Sequence, residues 1–305
     1  MVLKEVLEEL KDRQSKALTI AEYNYRKALE DDNFYKIEKK YREYSFLCGQ
    51  KPDSKELADE LKKIEAERQK ILDKLGLDIY PRYSCPKCQD TGYIGKELCV
   101  CAKREVSQRV AAMCGIYGNI SCNFDECDFE VFKEPKQKEL MIQTYEKMKQ
   151  YCAKFPNTNY NTIIFSGSTG TGKTHLISCI ATELTYRGYD VFFTTAFGLN
   201  NIFLKSHTAY VQEKIQYLEP LINCDLLIID DLGTEPIYRN VTEEYLYTIV
   251  NERLLKRKHT LISTNLGLED IFDRYGERIF SRLNNKANSL FLSFTGKDIR
   301  LDSRK

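Results

Sequence analysis

The eight residues Gly167-Ser168-Thr169-Gly170-Thr171-Gly172-Lys173-Thr174 fit the pattern G-x-x-x-x-G-K-[ST]. Their chemistry is the cradling of a triphosphate such as that of ATP. The glycines permit backbone angles that turn successive N–H groups inward onto phosphate oxygens. A helix starting at Lys173 adds its positive dipole end. The Lys173 ammonium reaches the β- and γ-phosphates, and the Thr174 hydroxyl ligates Mg²⁺. A chance glycine-rich turn is the alternative; the apolar TIIF before the loop and the helical pattern after it argue against that.

A second cluster lies 57 residues beyond Lys173, where the apolar run Leu226-Leu227-Ile228-Ile229 ends in Asp230-Asp231. A buried strand ending in acids delivers carboxylates to the edge of a sheet, where Mg²⁺ and an attacking water lie. Asp230 is then expected to hold the metal through water, and Asp231 to polarise the hydrolytic water. Ser263-Thr264-Asn265 closes a further apolar run. The Asn265 amide can orient water against the γ-phosphate, or serve as an ordinary helix N-cap. Arg282 in GERIFSRL and Arg300 in GKDIR are candidates to stabilise charge on the transferring phosphoryl group. By spacing alone they are indistinguishable from solvated surface arginines.

Four of the eleven cysteines crowd together as Cys85-Pro-Lys-Cys88 and Cys99-Val-Cys101. Two facing pairs of thiolates suit structural, tetrahedral Zn²⁺ with no position left for water. The second pair is tighter than the usual C-x-x-C, which leaves Cys114 as a substitute ligand. A redox C-x-x-C is the rival reading, but it has no use for a second pair. The remaining seven cysteines, spread from Cys48 to Cys224, read as small reduced core residues.

These residues need elements to hold them. From Thr162 onward, strand patterns (TIIF, DVFFTT, DLLIIDD, TLISTN, SLFLSF) alternate with helical ones, with two short helices before the last strand. This is the signature of a parallel sheet flanked by helices. Upstream, residues 1–79 carry apolar residues at helical spacing and predict a helical arm of two or three helices. Residues 80–112 form a turn-rich zinc module, 113–160 a helical and aromatic lead-in, and 161–305 the nucleotide-binding domain. The arm is either a solvated spacer or a docking surface for a partner protein. Between Pro81 and Ala112, six Lys/Arg outnumber three acids and tyrosines are interleaved, so the module either stacks nucleic-acid bases or merely staples the arm.

The chain as a whole, 46 basic against 45 acidic residues, has no global pull toward nucleic acid or membrane. No stretch approaches the roughly 20 apolar residues that span a bilayer. The charged N-terminus lacks the apolar core of a signal peptide, so a cytoplasmic location is expected.

Taken in order, GSTGTGKTHL, LLIIDDLGTE, STN and GERIFSRL resemble the bacterial replicative-helicase loaders of the DnaC/DnaI type and their IstB-type transposition-helper relatives, over about residues 120–302. The resemblance implies an AAA+ P-loop ATPase with a five-stranded parallel sheet. It implies that Lys173 and Thr174 belong to Walker A and Asp230 and Asp231 to Walker B, and that Asn265 is sensor 1. It makes Arg282 the arginine finger, with Arg278 as a rival, and Arg300 the sensor 2 arginine. It also implies weak ATPase activity stimulated by DNA or partner, in DNA replication. The implied partners are a hexameric replicative helicase bound through the N-terminal region, single-stranded DNA, and other copies of the chain meeting at the ATP site. A transposition helper and an ATP-switched adaptor with negligible turnover are the other readings. Asp231 departs from the broad AAA+ pattern, which has Glu there, and too little chain follows the fifth strand for a separate helical lid.

Overall fold

The computed structural model describes residues 2–52, 54–115, 122–210 and 213–299. It divides into two units, one comprising Leu7–Cys101 and the other Met1–Val6 with Ala102–Lys305.

The first unit is built on α1 (Val2–Ala28), α2 (Asp32–Gln50) and α3 (Lys55–Leu75). Each break has a local cause. The Asp31 carboxylate accepts the Phe34 N–H at 2.8 Å and caps α2. Ser54 caps α3, and Gly76 ends it in the left-handed region at φ 65°. Phe34, Ile37, Ile64 and Leu72 form a small core with Ile79. Inside it Arg68 donates to Glu38 at 2.6 Å and to the Tyr80 hydroxyl at 2.6 Å, so the buried charge is paired. A hairpin of β1 (Tyr93–Ile94) and β2 (Glu97–Leu98) follows, turning at Gly95-Lys96. Then α4 (Val100–Met113) begins, so the second cysteine pair straddles a helix start.

The second unit continues with two single 3₁₀ turns at Phe124–Glu126 and Phe129–Val131, then α5 (Pro135–Lys154) and the sheet. Its strands are β3 (Thr162–Gly167), β4 (Val191–Thr195), β5 (Leu226–Leu232), β6 (His259–Thr264) and β7 (Ser289–Phe294). Between them run α6 (Lys173–Tyr186), α7 (Ala196–Thr208), α8 (Lys214–Asn223), α9 (Thr242–Leu255) and α10 (Leu268–Leu283). All strands are parallel, in the order β4-β5-β6-β3-β7. The five expected strands and the two short helices before the last are present, the latter as the halves of α10 on either side of Gly276, at φ 76° and ψ 168°. That conformation is almost confined to glycine.

Leu226 to Ile229 are fully buried, as expected of a central parallel strand covered on both faces. Leu227 and Ile229 face Leu199, Phe203, Leu246 and Ile249, and the alternate residues Leu226 and Ile228 point to the other side. Chain connections diverge at β3: one leaves for the β4 edge, and the return from β6 crosses to β7. Ligands of open α/β sheets bind at such a switch point, beyond the carboxyl ends of the strands.

Candidate nucleotide site

At the carboxyl end of β3 the chain leaves the sheet through Gly167–Gly172 and re-enters order as α6 at Lys173. Gly170 lies at φ 72°, the left-handed region that favours glycine, and a Cβ there would sit 1.8 Å from an Asp298 carboxylate oxygen. The Ile299 N–H donates to the Gly170 carbonyl at 3.0 Å, and Gln137 holds the Lys297 backbone through both ends of its amide, at 3.1 and 3.2 Å. The segment after β7 therefore packs directly on the phosphate loop.

Lys173 is buried, and its ammonium donates to the carbonyls of Gly167 and Ser168 at 2.6 and 2.8 Å and to Asn265 Oδ1 at 2.9 Å. The loop lysine and the strand-end amide thus meet, although 92 residues separate them. Asn265 is not a helix cap: the N-cap of α10 is Gly267.

Thr174 Oγ1 lies 3.2 and 3.5 Å from the two Asp230 carboxylate oxygens. Neighbouring oxygens around octahedral Mg²⁺, at about 2.0–2.1 Å from the metal, stand about 2.9 Å apart. The Thr174 hydroxyl and the Asp230 carboxylate face each other slightly beyond that spacing, which suits an ion held by the hydroxyl directly and by the carboxylate through a bound water. Burial pushes the Asp230 carboxyl above its ordinary range, against hydrogen bonds from Ser263 and Thr174; a desolvated acid of this kind gains most from a cation.

Ser263, fully buried, donates its hydroxyl to Asp230 and accepts the Asp231 N–H at 2.8 Å. Asp231 itself stands at φ 56°, where the β5–β6 register slips between Ile229 and Leu232. A bulge of this type re-aims a side chain: Asp230 remains buried on the strand while Asp231 is half-exposed at its end. Beyond it the buried Glu235 accepts the Gly233 N–H at 2.8 Å and the Tyr275 hydroxyl proton, bracing the turn after the acids.

Arg282 donates to the Tyr247 hydroxyl at 3.2 Å and to Asn251 Oδ1 at 3.4 Å, and lies 5.1 Å from the Tyr247 ring centroid. Arg278 stacks on the same ring at 4.3 Å. Both arginines are held against α9 by one tyrosine, and none of these partners belongs to the phosphate loop. Arg300 lies outside the described residues.

The cysteine cluster belongs to the other unit. The sulfurs of Cys85, Cys88, Cys99 and Cys101 all lie within 4.8 Å of one another, with Cys85–Cys99 at 3.8 Å and Cys88–Cys101 at 3.4 Å. Tetrahedral zinc with bonds of about 2.3 Å sets its sulfurs about 3.8 Å apart, so the donor set fits and Cys114 is not needed. The buried Asp90 carboxylate accepts the N–H groups of Ser84 and Cys85, both at 2.8 Å, and fixes the first knuckle. The Cys88 backbone N–H draws the Cys85 thiol down to about 7.

Ser263, Glu235, Tyr247, Gln137 and Asp298 were not singled out from sequence. A signal existed for Ser263 alone: two positions before Asn265, it shares that residue's side of the strand.

A family model described as IstB-like ATP binding protein matches residues 94–283. The replicative helicase loader DnaC of Escherichia coli K12 is 32% identical over 176 residues, 57% of this chain and 69% of that protein. The phage-like element PBSX protein XkdC of Bacillus subtilis is 26% identical over 267 residues, 82% of this chain and 96% of its own length. A crystal structure of DnaI superposes with a TM-score of 0.45 at 19% identity, covering 58% of this chain and 90% of that one. Among the described residues no helix is long and apolar enough to cross a membrane.

Proposed function

Because the chain belongs to the IstB-like AAA+ ATP-binding proteins, the family of the DnaC-type helicase loaders, we propose that it loads a hexameric replicative helicase onto single-stranded DNA. The chain is an ATPase, and its turnover governs assembly and release. The observation that carries this reading is the meeting of Lys173, Asn265, Thr174, Asp230 and Ser263 at the ends of β3, β5 and β6, in a chain 32% identical to a loader over 176 residues.

In this reading, the amides of Gly167–Thr174 bind the phosphates. Lys173 exchanges its loop carbonyls for β- and γ-phosphate oxygens, keeping Asn265 beside the γ-phosphate to orient water. Thr174 would hold Mg²⁺ directly and Asp230 through water, and the ion would supply positive charge against the phosphates. Asp231 polarises the attacking water. Arg282, anchored on Tyr247, reaches the site of a neighbouring copy; Arg278 is its rival on the same ring, and Arg300 is assigned the sensor 2 role. Zn²⁺ on Cys85, Cys88, Cys99 and Cys101 is structural, and the arm carries the helicase contact.

Lys173→Ala is expected to abolish binding of a fluorescent ATP analogue. Arg282→Ala is expected to retain binding within about twofold and to lose DNA-stimulated turnover, the effect of a finger being about 10³-fold or more; unchanged turnover rejects the shared site. Affinity capture with the full chain is expected to recover a replicative helicase. A transposase in its place supports the transposition-helper reading, and recovery of neither rejects both.

A further inference from the structure

Cys127, His175 and Cys179 place three soft ligand atoms within 4.8 Å of one another in the ATPase unit. The Cys127 and Cys179 sulfurs are 3.9 Å apart, and Cys179 Sγ is 3.9 Å from His175 Nδ1. His175 and Cys179 stand four residues apart on one face of α6. Cys127 comes from the turn that links the two 3₁₀ turns. Cys179 is fully buried, with Cys122 and Tyr145 buried beside it, while Cys127 and His175 are half-buried.

The spacing separates two chemistries. A disulfide needs its sulfurs about 2.05 Å apart and has no use for an imidazole. Tetrahedral zinc, with Zn–S about 2.3 Å and Zn–N about 2.0–2.1 Å, needs S···S about 3.8 Å and S···N about 3.6 Å. The S···S and S···N distances of 3.9 Å stand near that spacing, and the third pair lies within 4.8 Å. The Tyr145 hydroxyl lies 2.7 Å from His175 Nδ1, with its ring stacked on the imidazole at 6.1 Å. With three protein ligands on tetrahedral zinc, the fourth position is left to water.

We propose that Cys127, His175 and Cys179 form a second zinc site, distinct from the four-cysteine cluster. His175 directly follows Lys173 and Thr174, so an ion here ties the segment before α5 to the first turns of the phosphate-loop helix. Zinc and nucleotide are then linked, each changing the other's affinity by the same factor. The ligand set stands independently of the loader reading.

The test is metal content of the full-length chain, purified under reducing, anaerobic conditions and re-equilibrated with Zn²⁺, by mass spectrometry of the metal. Cys127→Ser is expected to hold one equivalent less than the parent, and the cobalt-substituted parent to lose part of its thiolate charge-transfer absorption on the same substitution. Because the readout is a difference, failure of the four-cysteine cluster to hold zinc does not disturb it. If Cys127→Ser does not fold, His175→Gln replaces it with the same expected loss. Equal zinc in parent and variant overturns the proposal, as does a Cys127–Cys179 disulfide in the protein as isolated.

Discussion

Ser263 shows how one residue can set two catalytic groups. Its hydroxyl faces Asp230 and its oxygen receives the Asp231 N–H at 2.8 Å, so the metal-holding acid and the water-polarising acid are positioned by the same atom. Ser263→Ala removes a hydrogen bond to a charged group, worth about 1.5–3 kcal/mol. The expected outcome is a fall in kcat of about tenfold to a hundredfold, with ATP-analogue affinity in the absence of Mg²⁺ within about twofold of the parent. A comparable loss of metal-free affinity would instead mean that the serine supports the whole cradle.

At the scale of elements, the start of β6 is tied into its surroundings by buried polar groups. Arg253 on α9, fully buried, donates to the Leu221 and Cys224 carbonyls at the end of α8, at 2.6 and 3.1 Å, and to the His259 carbonyl. His259 is bonded through its ring to the Tyr151 hydroxyl at 2.9 Å and to the Pro156 carbonyl at 3.0 Å. Burial lowers the His259 pKa below its ordinary value, and the nearby Arg253 cation acts in the same direction. The unfolded chain, with an imidazole pKa near about 6.5, therefore binds this proton more readily than the folded one. Stability is full above that pH and falls as pH drops through it toward the lowered folded value, by up to about 1.4 kcal/mol per pH unit for one proton. Urea unfolding at pH 7 and pH 5 is expected to show a smaller loss in His259→Gln than in the parent. An equal loss in both assigns the acid sensitivity to other groups.

At the scale of the whole molecule, the chain divides into two units with separate means of stabilisation. The sheet unit has a large apolar core, whereas Leu7–Cys101 has a small one, led by Phe34, Ile37, Ile64 and Leu72, with a turn-rich tail. A tail with so little apolar burial needs a staple. Cys99→Ser is expected to lose one zinc equivalent and to expose the segment around residues 80–104 to limited proteolysis. Its Mg²⁺-ATP affinity should stay within about twofold of the parent, because none of the nucleotide-site residues lies in that unit. Loss of nucleotide binding in this variant would contradict the separation.

The sequence by itself determined what is encoded within a short stretch. The phosphate loop is eight consecutive residues whose glycines and helix start act locally, and the strand–helix alternation carries its own periodicity from Thr162 to Phe294. The four clustered cysteines were legible for the same reason, since sixteen or fewer residues separate any two of them. Residues whose meaning depends on a distant partner were not legible. Asp298 closes on Gly170, Gln137 on Lys297, and Cys127 on Cys179. Cys127 and Cys179 read separately as core thiols because spacing measures distance along the chain, while ligand geometry is distance in space. Only the crossing of the sheet at its switch point, and the packing of α6 beneath the segment before α5, brought these groups within reach of one another.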